Sequence, residues 1–174
     1  MATRYALWLS PDGEAFERWQ ALIAELSARL GTPAFDPHVT LVGGLHGEFE
    51  ALQQATRQLA LEIEPMVLPL GASRYLDEYY RCLFVDVDAC PALARAQAAA
   101  ARRFGPGPSP YYPHLSLVYG ELPAARKQQL IAEIGARFDE PLPIVQLTLI
   151  EVPDGPTSWR CRARVALGGD DCDI

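Results

Sequence analysis

Pro37-His38-Val39-Thr40-Leu41-Val42 and, 76 positions on, Pro113-His114-Leu115-Ser116-Leu117-Val118 decide the fold of this chain. Both are short apolar runs that open with proline and carry an imidazole and a hydroxyl two residues apart. Alternation with period 2 is a strand signal. The flanks repeat as well. Tyr5 to Leu9 and Cys82 to Val87 read as strands, one ahead of each motif. After Ser10-Pro11, Phe16, Trp19, Leu22, Ile23, Leu26 and Leu30 recur at helical spacing over 14–30, with Gly31 as the stop. The Ala-rich run 91–104 is the matching helix. The first motif strand is closed by Gly43-Gly44. Further helices are expected over about 48–62 and 123–138, and strands over about 66–73 and 142–152. Each half thus reads strand, helix, P-H-x-[ST]-L strand, helix, strand.

Two copies make an internal duplication rather than a solenoid. They predict one domain over 1–167, built of two similar lobes facing each other across a pseudo-twofold axis. A last strand is expected over 158–167, and the acidic stretch 168–174 reads as a frayed tail. Alternating strands and helices fit duplicated α+β lobes as well as a parallel α/β sheet.

The 174 residues, 49% hydrophobic and 21% charged, are enough to bury one core without staples. The net charge is -7 and the pI near 4.9. Such a chain repels a polyphosphate backbone, which argues against general duplex or single-strand binding. A small anionic substrate needs only a local positive or donor-rich site. Cys82, Cys90, Cys161 and Cys172 form no C-x-x-C pair, so a structural zinc site is not expected and the pairing is left open. The start of the chain has no signal-peptide pattern, and no run approaches about 20 apolar residues. The expectation is a cytoplasmic monomer with reduced thiols, no membrane partner, no metal and no cofactor.

Residues i and i+2 of a strand share a face. His38 therefore lies beside Thr40, and His114 beside Ser116, while Val39, Leu41, Leu115 and Leu117 point to the core. Twofold-related lobes would bring both pairs to one cleft. Two imidazoles flanking two hydroxyls suit in-line displacement at phosphorus. One imidazole takes the proton of the attacking water and the other protonates the leaving oxygen. The hydroxyls donate to the non-bridging oxygens. A lone H-x-T says little. Two copies at equivalent points of a duplicated unit say much more, because they use two of only three histidines.

With these motifs the chain resembles the 2H phosphoesterase superfamily. The stretches Thr32 to Thr40 and Ser109 to Leu122 are similar to its cyclic phosphodiesterase branch, and the likeness runs from Trp8-x-x-Pro11 to the last strand. The resemblance implies an α+β fold whose antiparallel sheets line a central cleft, with helices outside. It implies hydrolysis of ADP-ribose 1″,2″-cyclic phosphate or of nucleoside 2′,3′-cyclic phosphates, the latter to a 2′-phosphate. By the same likeness His114 is the base and His38 the acid. Thr40, Ser116 and Tyr119 would hold the phosphate, and Tyr80 and Trp8 would line the nucleoside pocket. An enzyme acting on RNA 2′,3′-cyclic ends, or a 2′,5′-ligase-like one, is a second reading. A non-catalytic nucleotide-binding module is a third.

Other features read as structural. His46 falls in a loop after the glycines. Arg160, Arg162 and Arg164 share one face of the last strand, as a charged edge or as a positive patch near the cleft. Cys82 and Cys161 read as small buried hydrophobes, and the Gly105 to Pro110 loop as a connector.

Overall fold

The structure is a computed structural model that describes residues 3–107 and 110–169. The chain runs β1 (Arg4–Ser10), α1 (Gly13–Leu30), β2 (Val39–His46), α2 (Phe49–Glu62), β3 (Met66–Arg74), β4 (Leu83–Val87), α3 (Pro91–Phe104), β5 (His114–Val118), α4 (Ala124–Ile134), β6 (Pro141–Ile144), β7 (Gln146–Glu151) and β8 (Arg160–Ala166). Short 3-10 turns at Tyr79–Arg81 and Pro156–Ser158 precede β4 and β8.

Strand pairing settles the class left open by the sequence. All neighbours are antiparallel, in the order β6-β3-β4-β5-β2-β1-β7-β8. The fold is therefore α+β, with two four-stranded lobes joined at β2 and β5. The seam is narrow, with Val39 paired to Leu115. These are equivalent residues of the two motifs, so the pseudo-twofold axis passes between them.

Helices cover the other side of the sheet. Trp19, Ile23 and Leu26 give α1 a buried stripe, and α1 packs on β5. Gly31 ends it at φ 66 with its N–H on the Ser27 carbonyl, a left-handed cap that glycine adopts without cost. Helix α3 packs on β2, and α2 on β7 and β8. Along β1, Tyr5, Leu7 and Leu9 enter this main core, while Ala6 and Trp8 form a small second cluster with Ile150 on the opposite face. That opposite face is the cleft.

Several expectations are corrected. The strand expected over 142–152 is two strands. Leu142 and Ile144 pair with β3, whereas Leu147 and Leu149 pair with β1 and β8. The break is at Val145, whose carbonyl accepts the Leu167 N–H. The run is apolar on alternate residues on both sides of Val145, so its pattern carries no sign of the break. Pro143 lacks a ladder donor and is tolerated because β6 is an edge strand.

The sequence halves are not the spatial lobes either. β3, from the first half, lies in the lobe of β4 and β5, and β7 completes the lobe of β1 and β2. Gly43-Gly44 does not close β2. The strand runs on to an exposed His46, and the register against β1 slips between Val42 and Leu45. Gly44, at φ 67, provides that bulge. Helix α4 stops at Ile134, and Phe138 turns back to give its N–H to Gly71 and pack on Trp19.

Cys161 is exposed, because β8 is an edge strand with little packed on it, while Cys82 is buried. Cys82, Cys90 and Cys161 are free thiols; Cys172 lies outside the described residues. Gly168, expected in the tail, donates its N–H to the carbonyls of Ala60 and Ile63. Positions 170–174 lie outside the described residues. Among the described residues no helix is long and apolar enough to cross a membrane.

Candidate active site

The antiparallel seam builds the site. Pairing of Val39 with Leu115 sets position 38 across from 116 and position 40 across from 114. Each imidazole thus stands across the seam from the other motif's hydroxyl. The two rings are held in the same way. His38 Nδ1 lies 2.7 Å from the carbonyl of Asp36, and His114 Nδ1 lies 2.9 Å from that of Tyr112. A carbonyl only accepts, so Nδ1 carries the proton of the neutral ring and Nε2 keeps its lone pair. The residue two before each histidine therefore fixes its tautomer.

The surroundings of the rings differ. His38 is 5% exposed. Trp8 lies flat on it, with ring centroids 3.5 Å apart and planes 7° apart, and Phe35 meets its edge. The Tyr119 hydroxyl is 3.5 Å from its Nε2. Burial pushes the pKa of His38 from 6.5 down to about 3; the Asp36 carbonyl opposes this and the His114 charge adds to it. His114 is partly exposed, with the edge of Phe84 and the tilted ring of Tyr112 near it. Its pKa is also lowered, first by burial and then by the Arg81 charge, against the Tyr112 carbonyl, Asp86 and Glu78.

The cleft has a volume of about 390 Å³. His38, His114, Thr40, Tyr119, Tyr80 and Trp8 all line it. Ser116 is buried behind this lining, and its Oγ donates to the Tyr80 carbonyl at 3.2 Å. Tyr119 is buried and stacked on Phe35 at 3.8 Å; burial raises its hydroxyl pKa, so it stays a proton donor. Tyr80 is 47% exposed and faces Trp159 at 6.0 Å with planes 20° apart.

Trp159 and Arg81 also line the cleft, and sequence reasoning missed both. Arg81 directly follows Tyr80, which was the one available signal. The alternating arginines of the last strand are the louder signal, yet two of the three meet acids. Arg162 pairs with Glu151 at 2.6 Å and lies over the Phe49 ring, and Arg164 lies 3.7 Å from Asp36. That strand is a charged edge rather than the cleft's positive patch. Among the described residues, no three His, Cys, Asp or Glu side chains come together as a metal ion would need.

A family model described as the 2'-5' RNA ligase superfamily matches residues 11–156, which hold both motifs. The chain belongs to the 2'-5' RNA ligase superfamily. Members of this superfamily are 2H phosphoesterases, the group that the paired motifs resemble. A curated relative, a cyclic phosphodiesterase of Arabidopsis thaliana, is 24% identical over 125 residues, 71% of this chain and 69% of that one. Two solved structures share the superfamily fold. The crystal structure of TT0787 of Thermus thermophilus has a TM-score of 0.66 at 17% identity, over 96% of this chain and 99% of that chain. The crystal structure of E. coli LigT complexed with 3'-AMP has a TM-score of 0.63 at 15% identity, over 97% and 100%.

Proposed function

We propose that this protein is a metal-independent cyclic phosphodiesterase that opens a nucleotide-type cyclic phosphate by two-histidine acid–base catalysis. One observation carries the reading: both histidines sit on the pseudo-twofold seam with Nδ1 on a carbonyl, which leaves two Nε2 atoms for one cleft. The Arabidopsis relative's name and the nucleotide complex of LigT support it.

With a nucleoside 2′,3′-cyclic phosphate, water oxygen bonds to phosphorus as one Nε2 takes its proton. The bond from phosphorus to O3′ breaks, the other imidazole protonates O3′, and a 2′-phosphate remains. Thr40, Ser116 and Tyr119 donate to the non-bridging oxygens. Ser116 must turn away from the Tyr80 carbonyl to do so. The resemblance makes His114 the base and His38 the acid. Burial holds His38 neutral in the free protein, so it must take up a proton from solvent as the substrate binds, when the phosphate anion favours the imidazolium. Trp8 walls the pocket behind His38, and Tyr80 offers a face for a base.

Turnover of nucleoside 2′,3′-cyclic phosphates and of ADP-ribose 1″,2″-cyclic phosphate, in excess EDTA and read by phosphorus NMR, tests this. Hydrolysis should survive EDTA and fall about 10²- to 10⁴-fold in His38→Ala and in His114→Ala. No turnover of either substrate by the intact protein removes the reading. Oligonucleotides with a 2′,3′-cyclic end form the second arm. Preference for them, lost steeply with salt, would favour the RNA-end enzyme.

A further inference from the structure

We propose that Arg81 is the phosphate-recognising cation of the cleft, poised beside His114 to grip the anionic group of the substrate. The assignment rests on the proposed cyclic phosphodiesterase reading for its substrate, but the recognition of phosphate can be tested apart from turnover.

A chain of net charge -7 must hold an anion against its own field. Among the described residues, the Lys, Arg, Asp and Glu side chains lining the cleft are Arg4, Arg81 and Asp154. Arg4 gives a guanidinium N–H to the Pro153 carbonyl and pairs with His46, at the other end of β1 from the Trp8–Thr40 pair. Arg81 lies close enough to His114 for its charge to act on that ring, and its guanidinium carbon is 5.8 Å from the centre of the Tyr112 ring. Its fork is aimed by Glu78. Nε and Nη2 donate to the same carboxylate oxygen at 2.8 and 2.6 Å. Two of five N–H groups are used there, and the rest are left for a ligand. Glu78 is half-exposed, so this ion pair holds the fork in place at little cost to a competing phosphate.

The segment beneath is fixed from several sides. The Arg81 carbonyl accepts the Leu76 N–H, and the Arg81 N–H goes to the Glu78 carbonyl. Buried Lys127 holds the Leu76 carbonyl at 2.8 Å and the Asp77 carboxylate at 2.6 Å. The Tyr79 carbonyl accepts the Gly120 N–H, one residue after Tyr119. Arg81 is thus presented by an ordered turn to the cleft that holds both motifs. A planar fork matches two phosphate oxygens at once, which a lysine cannot do.

The test is calorimetric titration of the full chain with inorganic phosphate and with 3'-AMP. Affinity for both should fall roughly tenfold to a hundredfold in Arg81→Met. Arg81→Lys should recover part of it, since the charge stays and the fork goes. A histidine NMR titration gives a readout that a merely structural role would not move. The groups acting on His114 are Arg81, Glu78 and Asp86, with Asp86 itself bound by Arg74 and the Tyr112 hydroxyl, and His38 faces it across the seam. Loss of the Arg81 charge should move the His114 titration to higher pH, and Arg81→Lys should leave it near the native value. Equal affinity in the native and Arg81→Met proteins overturns the proposal, as does native protein that binds neither probe. If Arg81→Met fails to fold, undiminished affinity in Arg81→Lys overturns it too. Phosphate binding that needs Arg81, in a protein that turns over no cyclic phosphate, would sink the enzymatic reading and leave this assignment standing.

Discussion

His38 should make the fold sensitive to mild acid. Its ring is sandwiched in the wall of the cleft, 5% exposed under Trp8, with Nδ1 on the Asp36 carbonyl and Nε2 facing the Tyr119 hydroxyl. Burial favours the neutral ring and outweighs the Asp36 carbonyl, which favours the charged one. In the folded chain its pKa is about 3, against about 6.5 when unfolded. The folded pKa is the lower one, so the unfolded state binds the proton first. Stability is therefore fully present above about pH 6.5 and is lost as pH falls towards about 3. Between pH 7 and pH 4.5 the unfolded chain gains about two pH units of protonation that the folded chain does not. At about 1.4 kcal/mol per unit, His38 alone costs about 3 kcal/mol over that span. Carboxylates titrate there too, but a His38→Gln variant shares them. Urea unfolding of both proteins at the two pH values isolates the difference. The native protein should lose about 3 kcal/mol more than the variant. Parallel losses, or an NMR signal of His38 already charged at pH 5 in the folded protein, would refute the reasoning.

Two further predictions concern the frame around the site. Lys127→Met keeps the buried volume but leaves the Leu76 carbonyl unpaired, and should cost about 1–3 kcal/mol in chemical denaturation. Amide exchange over 75–82 should quicken with it; unchanged exchange would show that this lysine does not hold the segment. Gly120 sits at φ +148, and an added Cβ would lie 3.2 Å from the Thr32 Cγ2. Gly120→Ala should therefore cost about 1–3 kcal/mol, checked by the urea midpoint, whereas the same change at Gly155, with open space around it, should leave that midpoint nearly unmoved.

Much of the site is local and so was legible. The alternation through His38-Val39-Thr40 and His114-Leu115-Ser116 carries its own face assignment, because neighbouring side chains of a strand must point oppositely. The helical stripe of Trp19, Ile23 and Leu26, with Gly31 behind it, is similarly self-contained. Arg81 was not legible. A single arginine beside a tyrosine has no periodicity, and the three alternating arginines on the last strand lead instead to Glu151 and Asp36. Trp159 reads in the sequence as one more apolar residue of that strand; it precedes the strand and reaches the cleft through the Pro156–Ser158 turn.

The sequence by itself determined the duplication, the two motifs and the side of each strand that meets the core. Those are properties of the chain's local period. The tertiary structure decided that the sheet is antiparallel, that Val145 divides one apolar run between two lobes, and that β7 pairs with β1 across almost the whole chain. It also made two matching H-x-[ST] units unequal, one buried under Trp8 and one beside Arg81. Partner choice between strands depends on which apolar faces can be covered together, and a histidine's charge depends on what surrounds the ring. Neither quantity exists until distant segments have met.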